Sequence, residues 1–306
     1  MSKLPHFSRL ALALGLSTTL LMSLPCQATD AHANELGYAS SNSATSSTRA
    51  TSNDYAATLE QLLTLLEKPQ MLQSMAAAIT SDSTKQNIIS NHMSSLLSDQ
   101  SLRQVLVEHI ATKLQQRGSS LNDTSALLRA IGDELQSATL QFFNGGISRL
   151  SDSELQQLLG SIANTANRWD DQTCQVVFSG ASNSGVYRTL LEQLDPQDLE
   201  NFLHLTTQAV LYEVKDQPAA YSMSGSDLAK ANTALFKVIG LWAFSDPQAA
   251  QNAFALLQGS LQDQAPDPVT LCHTSRQLLT EIVRAEGSDG SLLRRLVVHT
   301  YLNQLQ

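Results

Sequence analysis

The sequence predicts an all-α protein, built from roughly a dozen short amphipathic helices in one or two packed lobes behind a disordered N-terminal leader. From Asp54 onward, apolar residues recur at the helical spacing i, i+3, i+4, i+7. Helix-start signals, in which Ser or Asp precedes Pro or an apolar run, interrupt this pattern at intervals. The β-prone run Val176–Phe178 is too short to add a sheet, and we expect it to form an irregular connection together with Ser179–Gly185.

Residues 1–28 have the three parts of a secretory signal peptide. A basic start is followed by the apolar run Leu10–Leu24 and by Cys26-Gln27-Ala28, which predicts cleavage before Thr29. The apolar run is shorter than the roughly 20 residues that a membrane-spanning helix needs. We therefore expect export to a bacterial periplasm, with secretion from the cell as an alternative. A lipid anchor on Cys26 is disfavoured, because Pro25 stands where a small residue is usual.

Residues 29–53 are expected to form a flexible leader. From Ser40 to Asn53 the chain holds Ser, Thr, Asn, Ala and one Arg, with no large apolar residue. Such a segment buries too little surface to offset the entropy of ordering. We interpret it as a spacer, and the alternative is a segment that orders on a partner.

An N-terminal helical lobe is predicted over residues 54–167. Its apolar stripes end at Gly118 and at Gly145-Gly146, where a glycine fits the end of a helix. The stripes consist of Leu59, Leu62, Leu63 and Leu66; Met71, Leu72, Met75 and Ile79; Ile88, Ile89, Met93, Leu96 and Leu97; Leu102, Val105, Leu106, Ile110 and Leu114; and Leu127, Leu128, Ile131, Leu135, Leu140, Phe142 and Phe143.

A helix-start signature recurs along the chain. A Ser or Asp side chain caps the first free N–H groups, Pro fits the first turn, and a preceding Leu or Phe can pack back on the helix. Its uneven spacing favours shared capping chemistry over a helical repeat, whose period is normally about 30–45 residues. The signatures are Leu97-Ser98-Asp99, Leu150-Ser151-Asp152, Leu194-Asp195-Pro196 and Phe244-Ser245-Asp246-Pro247.

A C-terminal helical lobe with one disulfide is predicted over residues 168–306. Its run Phe236–Phe244 is the most hydrophobic of the mature chain, and we expect it on a central helix buried on all sides, with Trp242 in the core. Signal cleavage leaves two cysteines, Cys174 and Cys272, and an even pair in an oxidising compartment most simply forms one disulfide. The bridge would close a loop of about 98 residues.

The charge of the chain excludes some partners. The net charge is −9, and loss of Lys3 and Arg9 with the signal peptide leaves 17 basic and 28 acidic residues, a net −11. Nucleic-acid backbones and anionic membrane surfaces both require clustered Lys and Arg. We therefore expect no nucleic-acid partner, and the acidity is consistent with solubility alone.

No catalytic, metal or cofactor motif is apparent in the sequence. The histidines of the mature chain are scattered, without a pair at i, i+3 or i+4. Gly180–Ser184 lacks the final glycine of a nucleophile elbow. The carboxylate pairs Asp170-Asp171 and Asp195 with Asp198 are more typical of solvated helix caps than of acid–base catalysis. We expect a protein that is not an enzyme and carries no cofactor.

Five residues are candidates for an interaction site: Arg168, Trp169, Asp170, Asp171 and Tyr221. Trp and Arg are enriched at binding hot spots, and Tyr221 begins a polar loop. The alternative is structural, with Trp169 packed on the disulfide and Arg168 paired with Asp171 or another nearby acid.

Three functions are compatible with these features. The first is an exported, non-catalytic interaction protein, such as an accessory subunit of a periplasmic secretion, conjugation or other envelope assembly. The second is an inhibitor or immunity protein whose acidic surface complements one exported toxin or hydrolase. The third is a small-ligand carrier or enzyme with a site between helices, which would require a pocket with convergent polar groups.

Overall fold

The structure is a computed structural model of the 306-residue chain, and it describes residues 51–118, 124–178, 192–258 and 267–304. These residues form twelve α-helices and one short 3-10 helix, with no strand among them, so the all-α prediction is confirmed. None of the described helices is long and apolar enough to cross a membrane. The predicted signal peptide, residues 29–50 of the leader and Gly180–Ser184 lie outside the described residues.

The helices are α1 (Ser52–Leu66), α2 (Pro69–Ile79), α3 (Ser83–Ser98), α4 (Gln100–Arg117), α5 (Thr124–Gly146), the 3-10 helix (Ile147–Arg149), α6 (Asp152–Ala166), α7 (Asp171–Phe178), α8 (Pro196–Val214), α9 (Gly225–Ser245), α10 (Pro247–Gln258), α11 (Pro268–Arg284) and α12 (Gly287–Gln304). The first helix begins two residues before the predicted Asp54, because Thr51 and Asp54 form a reciprocal capping box.

Local capping chemistry places the helix starts where the sequence predicts them. The backbone N–H of the third residue of the helix donates to the capping side chain in each case. The four distances from the backbone nitrogen to the side-chain oxygen are 2.9 Å from Leu102 to Asp99, 3.2 Å from Glu154 to Ser151, 2.7 Å from Asp198 to Asp195 and 3.0 Å from Ala249 to Asp246. Capping is decided within one turn of chain, so the sequence is sufficient to find it.

The chain divides into two compact units, and the division in sequence falls between Phe142 and Phe143, within α5. It lies earlier than the predicted boundary at residues 167–168. The reason is that α6 packs against α8, α11 and α12, and so belongs to the C-terminal unit.

In the N-terminal unit, α1 packs along α4 and α2 packs on α3. The Arg103 guanidinium joins α4 to α1 by donating to the carboxylates of Glu60 at 2.7 Å and Glu67 at 2.6 Å. Ile131 and Leu135 of α5 complete the apolar interior. This unit therefore has its own core.

In the C-terminal unit, α6 is surrounded by other helices and α9 packs on α12 and α10. Buried Arg294 of α12 donates to both carboxylate oxygens of Asp152, at 2.9 and 2.7 Å, and so fixes α12 to the start of α6. A Cβ atom added at Gly146 would lie 1.7 Å from the carbonyl oxygen of Ala209. Only glycine fits this close approach to α8.

The predicted disulfide is confirmed: Cys174 of α7 and Cys272 of α11 are bonded, and their Cα atoms lie 5.5 Å apart. The predicted irregular connection is wrong for Val176–Phe178, because these residues are the end of helix α7, and its remaining part, Ser179–Gly185, lies outside the described residues. The Asp170 carboxylate caps this helix, and Cys174 and Phe178 are buried. Packing outweighs the weak strand preference of two valines.

Candidate interaction surface

The guanidinium of Arg168 is bonded to residues of its own chain. It follows α6 and donates to the carboxylates of Asp195 at 2.5 Å and Asp198 at 3.2 Å, and to the carbonyl oxygen of Gln193 at 3.2 Å. Asn164 also donates to Asp198, at 3.1 Å. These bonds fasten the end of α6 to the start of α8. Arg168 pairs with nearby acids, as the structural alternative expects, but Asp171 is not one of them.

The two carboxylates beside Arg168 differ in acidity. The backbone N–H of Asp198, followed by the Arg168 guanidinium, lowers the pKa of Asp195 below its ordinary 3.8. Burial raises the pKa of Asp198 above 3.8, an effect that the hydrogen bond from Asn164 opposes. The buried position of Asp198 thus sets it apart from a solvated helix cap.

Trp169 is buried, with 5% of its surface exposed, and its indole N–H has no hydrogen-bond partner among the described residues. Its carbonyl oxygen accepts a hydrogen bond from Arg276 of α11 at 3.2 Å. A side chain at this depth contributes to the core of the C-terminal unit rather than to its surface.

Asp170 and Asp171 are both exposed, and their carboxylates bind residues of different helices. The backbone N–H of Thr173 donates to Asp170 at 2.7 Å and lowers the pKa of that carboxyl. Asp171 lies 2.9 Å from Nε2 of His273, whose Nδ1 lies 2.7 Å from the Arg276 guanidinium. Arginine only donates, so Nδ1 accepts and Nε2 carries the proton that binds Asp171. The chain Asp171–His273–Arg276 joins α7 to α11 beside the disulfide.

Tyr221 lies in the loop between α8 and α9 and is 40% exposed. Its backbone N–H donates to the carbonyl oxygen of Ser148 at 2.9 Å, and its hydroxyl lies 3.3 Å from Asp227. The Arg295 guanidinium lies 4.7 Å from the centre of its ring, within range of a cation–π contact. These contacts differ from those of residues 168–171, so the structure does not show the five predicted residues forming one patch.

Among the large apolar side chains of the described residues, the three with the greatest exposed fractions belong to α9, in the run predicted as core. The exposed fractions are 54% for Phe236, 71% for Leu241 and 91% for Phe244. The expectation that this helix is buried on all sides is therefore wrong, although Trp242 is buried as predicted, with 7% exposed. The physical reason is that, among the described residues, α12 and α10 pack on α9 but leave Leu241 and Phe244 exposed and cover Phe236 only in part, through Phe254.

Two stripes on α9 explain the difference. At about 100° per residue, Leu235, Ile239 and Trp242 project to one side of the helix and Phe236, Gly240 and Phe244 to the other. Lys237 lies in the second stripe, and a charge in the middle of a hydrophobic run is the sequence signal that one side faces solvent. We call the residues Phe236, Lys237, Gly240, Leu241 and Phe244 the outer face of α9.

The outer face of α9 is apolar and almost without net charge. Phe236 stacks on Phe254 of α10, with ring centres 6.0 Å apart and an angle of 25° between the rings. The ammonium group of Lys237 lies 3.1 Å from a carboxylate oxygen of Asp289. With about 150–250 Å² for an aromatic side chain and somewhat less for leucine, the three exposed side chains present roughly 400 Å² of apolar surface in total. The largest apolar patch of a typical single chain is of about this size and is often functional.

Small-molecule sites find less support in the described residues. Within the N-terminal unit, α1, α4 and α5 enclose a cavity of about 20 Å³, lined entirely by apolar residues. It has room for about one water-sized molecule and offers no polar group to orient a ligand. The part of the chain that the structure describes contains no group of three or more His, Cys, Asp or Glu placed to hold a metal ion.

Comparisons of this chain with protein-family models, with curated protein sequences and with solved structures found no match.

Proposed function

We propose that this chain is an exported, non-catalytic interaction protein that serves as an accessory subunit of a periplasmic or other envelope assembly, and that the outer face of α9 is its docking surface. The observation that carries the proposal is the exposure of Phe236, Leu241 and Phe244 on one helix, α9, whose side with Leu235, Ile239 and Trp242 is buried. Water contact with such a patch is unfavourable, and covering it with a partner removes that penalty.

The charges of the candidate residues support the choice of surface. The guanidinium of Arg168 already binds two carboxylates, and Trp169 is buried. On the outer face of α9, the one charged side chain, Lys237, is paired with Asp289 of the same chain. A partner can therefore cover the patch without leaving an unpaired buried charge.

Export is supported by the sequence features of residues 1–28 and by the bonded cysteines. We expect the protein in the periplasmic fraction with residues 1–28 removed, and intact mass of the isolated protein measures this directly. A cytoplasmic protein that retains residues 1–28 would contradict the export proposal.

The docking surface is tested by cross-linking in intact cells. A photo-crosslinking amino acid is placed at Phe244, a tag follows the C-terminus, and the captured proteins are identified by mass spectrometry. We expect several envelope-assembly components from position 244. The matched control is Val176, an apolar residue that is 39% exposed on α7, outside the patch, and we expect little capture there.

The alternatives give different results in the same experiment. Capture of one soluble exported enzyme or toxin would favour the inhibitor function over the assembly subunit. Capture of no protein other than this chain itself would contradict both, and a screen for a ligand would then be the next step.

A further inference from the structure

We infer that His273 and Arg276 of α11 form a proton-operated switch: neutral His273 holds the Arg276 guanidinium, and protonated His273 releases it while keeping its bond to Asp171. The inference goes beyond the proposed function, because none of these three residues belongs to the outer face of α9. Its support comes from the hydrogen bonds of the imidazole ring, from the charges around the ring and from its exposure to solvent.

Both ring nitrogens of His273 have a partner while the ring is neutral. Nε2 lies 2.9 Å from Oδ1 of Asp171, and Nδ1 lies 2.7 Å from Nη2 of Arg276. A carboxylate accepts and a guanidinium donates, so the neutral ring carries its one proton on Nε2 and accepts at Nδ1. The two partners therefore fit one tautomer of the uncharged imidazole.

Protonation of the ring removes the acceptor from the Arg276 bond. The second proton of an imidazolium sits on Nδ1, where it would point at the Arg276 guanidinium across 2.7 Å. Two donors that are both positively charged cannot form this bond. The bond to Asp171 responds in the opposite way, because a charged N–H donates to a carboxylate more strongly than a neutral one does.

Few described charges act directly on the ring. Asp171 of α7, with Asp170 one residue before it, and Arg276 of α11 lie beside it, whereas Glu281 and Arg284 are two or more turns further along α11. Helix α10, which packs on α11, has no titratable side chain. The titratable side chains of α6, of α12 and of the cap of α11 are bound elsewhere: Asp152 to Arg294, Glu154 to Ser151 and Tyr212, Asp267 to Val269 and Thr270, Asp289 to Lys237, Arg295 to Ser148 and Leu150, His299 to Asn303, and Tyr301 to Asn144.

The switch is open to protons from the solvent. The side chains of His273 and Asp171 are 42% and 75% exposed. Histidine is the side chain whose charge ordinarily changes between about pH 5 and 8, which makes it the usual sensor of mild acid in proteins.

Arg276 carries the effect beyond the ring. Its Nη1 group donates to the carbonyl oxygen of Trp169 at 3.2 Å, so one guanidinium joins α11 both to His273 and to the connection between α6 and α7. A guanidinium that has lost its ring acceptor is free to turn, and it then holds Trp169 less firmly. The disulfide between Cys174 and Cys272 keeps α7 on α11 in both states. Acid therefore loosens the connection at Trp169 without separating the two helices.

Nitrogen NMR of the folded, disulfide-bonded chain tests the switch. At about pH 8, long-range proton–nitrogen correlations should show the His273 ring protonated on Nε2 only. As the pH falls to about 5, the exchange of the Arg276 guanidinium protons with water, relative to Arg284, should become about tenfold faster, because one charge-assisted hydrogen bond is lost. Arg284 is the matched control, since it lies on the same helix, is 73% exposed and has its carboxylate neighbour at 3.9 Å.

Two variants identify the group that takes up the proton. In His273→Gln the side chain does not titrate and its Oε1 can still accept from Arg276, so the relative exchange rate of Arg276 should no longer depend on pH. Asp171→Asn removes the carboxylate but retains the ring, and Arg276 should still respond to acid. An unchanged circular dichroism spectrum shows that each variant is folded.

Several results would overturn the inference. They are a neutral His273 ring protonated on Nδ1, an Arg276 exchange rate that does not follow the titration of His273, a response that persists in His273→Gln, and a response that is lost in Asp171→Asn. The first two are measured on the unmodified chain and decide the matter even where a variant does not fold. None depends on capture at position 244, so the inference and the proposed function fail separately.

Discussion

The two tryptophan-containing stretches, Arg168–Asp171 and Phe236–Phe244, differ in a way that their composition does not reveal. Both tryptophans are buried. Around Trp169 the charged side chains are bonded within the chain, to α8 and α11, whereas around Trp242 the apolar side chains face solvent. Availability for binding thus depends on how many helices pack around a segment, and less on how polar its residues are.

The strongest test of this contrast replaces each tryptophan by alanine. We expect Trp169→Ala and Trp242→Ala each to lower the free energy of unfolding by about 3–5 kcal/mol, because both leave a cavity in the C-terminal unit. Chemical denaturation followed by circular dichroism measures the difference. A loss below about 1 kcal/mol for Trp242→Ala would show that the inner side of α9 is not packed.

The disulfide beside the stretch Arg168–Asp171 is expected to make the next largest contribution to the free energy of unfolding. Replacing Cys174 and Cys272 together by alanine should lower the free energy of unfolding by about 2–4 kcal/mol, because the bridge restricts the unfolded chain. Chemical denaturation of this variant and of the unreduced protein measures the difference in the free energy of unfolding. Two free thiols in protein taken directly from the periplasm would contradict the bridge.

The pH dependence of the unfolding free energy tests the role of Asp198, the buried partner of Arg168 in the first of the two stretches. Burial raises the pKa of Asp198 above 3.8, so the folded protein binds this proton more tightly than the unfolded chain does. Its contribution to stability is therefore present below pH 3.8 and is lost as the pH rises through the folded pKa. We therefore expect the unfolding free energy of Asp198→Asn, relative to that of the unmodified protein, to increase as the pH rises through this window.

The measurement for Asp198 is the difference in unfolding free energy between the two proteins across the acid range. Asp195→Asn is the matched control, with the opposite sign. Its pKa is lowered by the N–H of Asp198 and by Arg168, so its contribution is present above pH 3.8 and is lost as the pH falls. Parallel curves for the two variants would contradict this assignment.

The smallest effects on stability are expected on the outer face of α9. Phe236→Ser should lower the free energy of unfolding by about 0.5–1.5 kcal/mol, because Phe236 stacks on Phe254. Phe244→Ser should change it by no more than about 0.5 kcal/mol, since this side chain is 91% exposed. Chemical denaturation followed by circular dichroism measures both differences. A larger loss for Phe244→Ser would mean that the folded chain buries the ring.

The features that were predicted correctly from the sequence depend mostly on residues that are close together along the chain. Caps such as Asp99 and Asp195 act within one turn, and two remaining cysteines allow one pairing. The end of α7 and the exposure of Phe244 depend on contacts far away in sequence, which periodicity alone does not contain. The candidate residues illustrate the same limit, because the partners of Arg168 and the carbonyl group that binds the backbone N–H of Tyr221 lie 25 or more residues away.

The bond between Cys174 and Cys272 has a consequence for protease resistance. Helices α8, α9 and α10 all lie between the two cysteines, so the outer face of α9 belongs to a covalent ring. One cut anywhere in that ring leaves both pieces linked, and they separate on a gel only after reduction. A protease that nicks a loop of this ring once therefore does not release α9 from the rest of the chain.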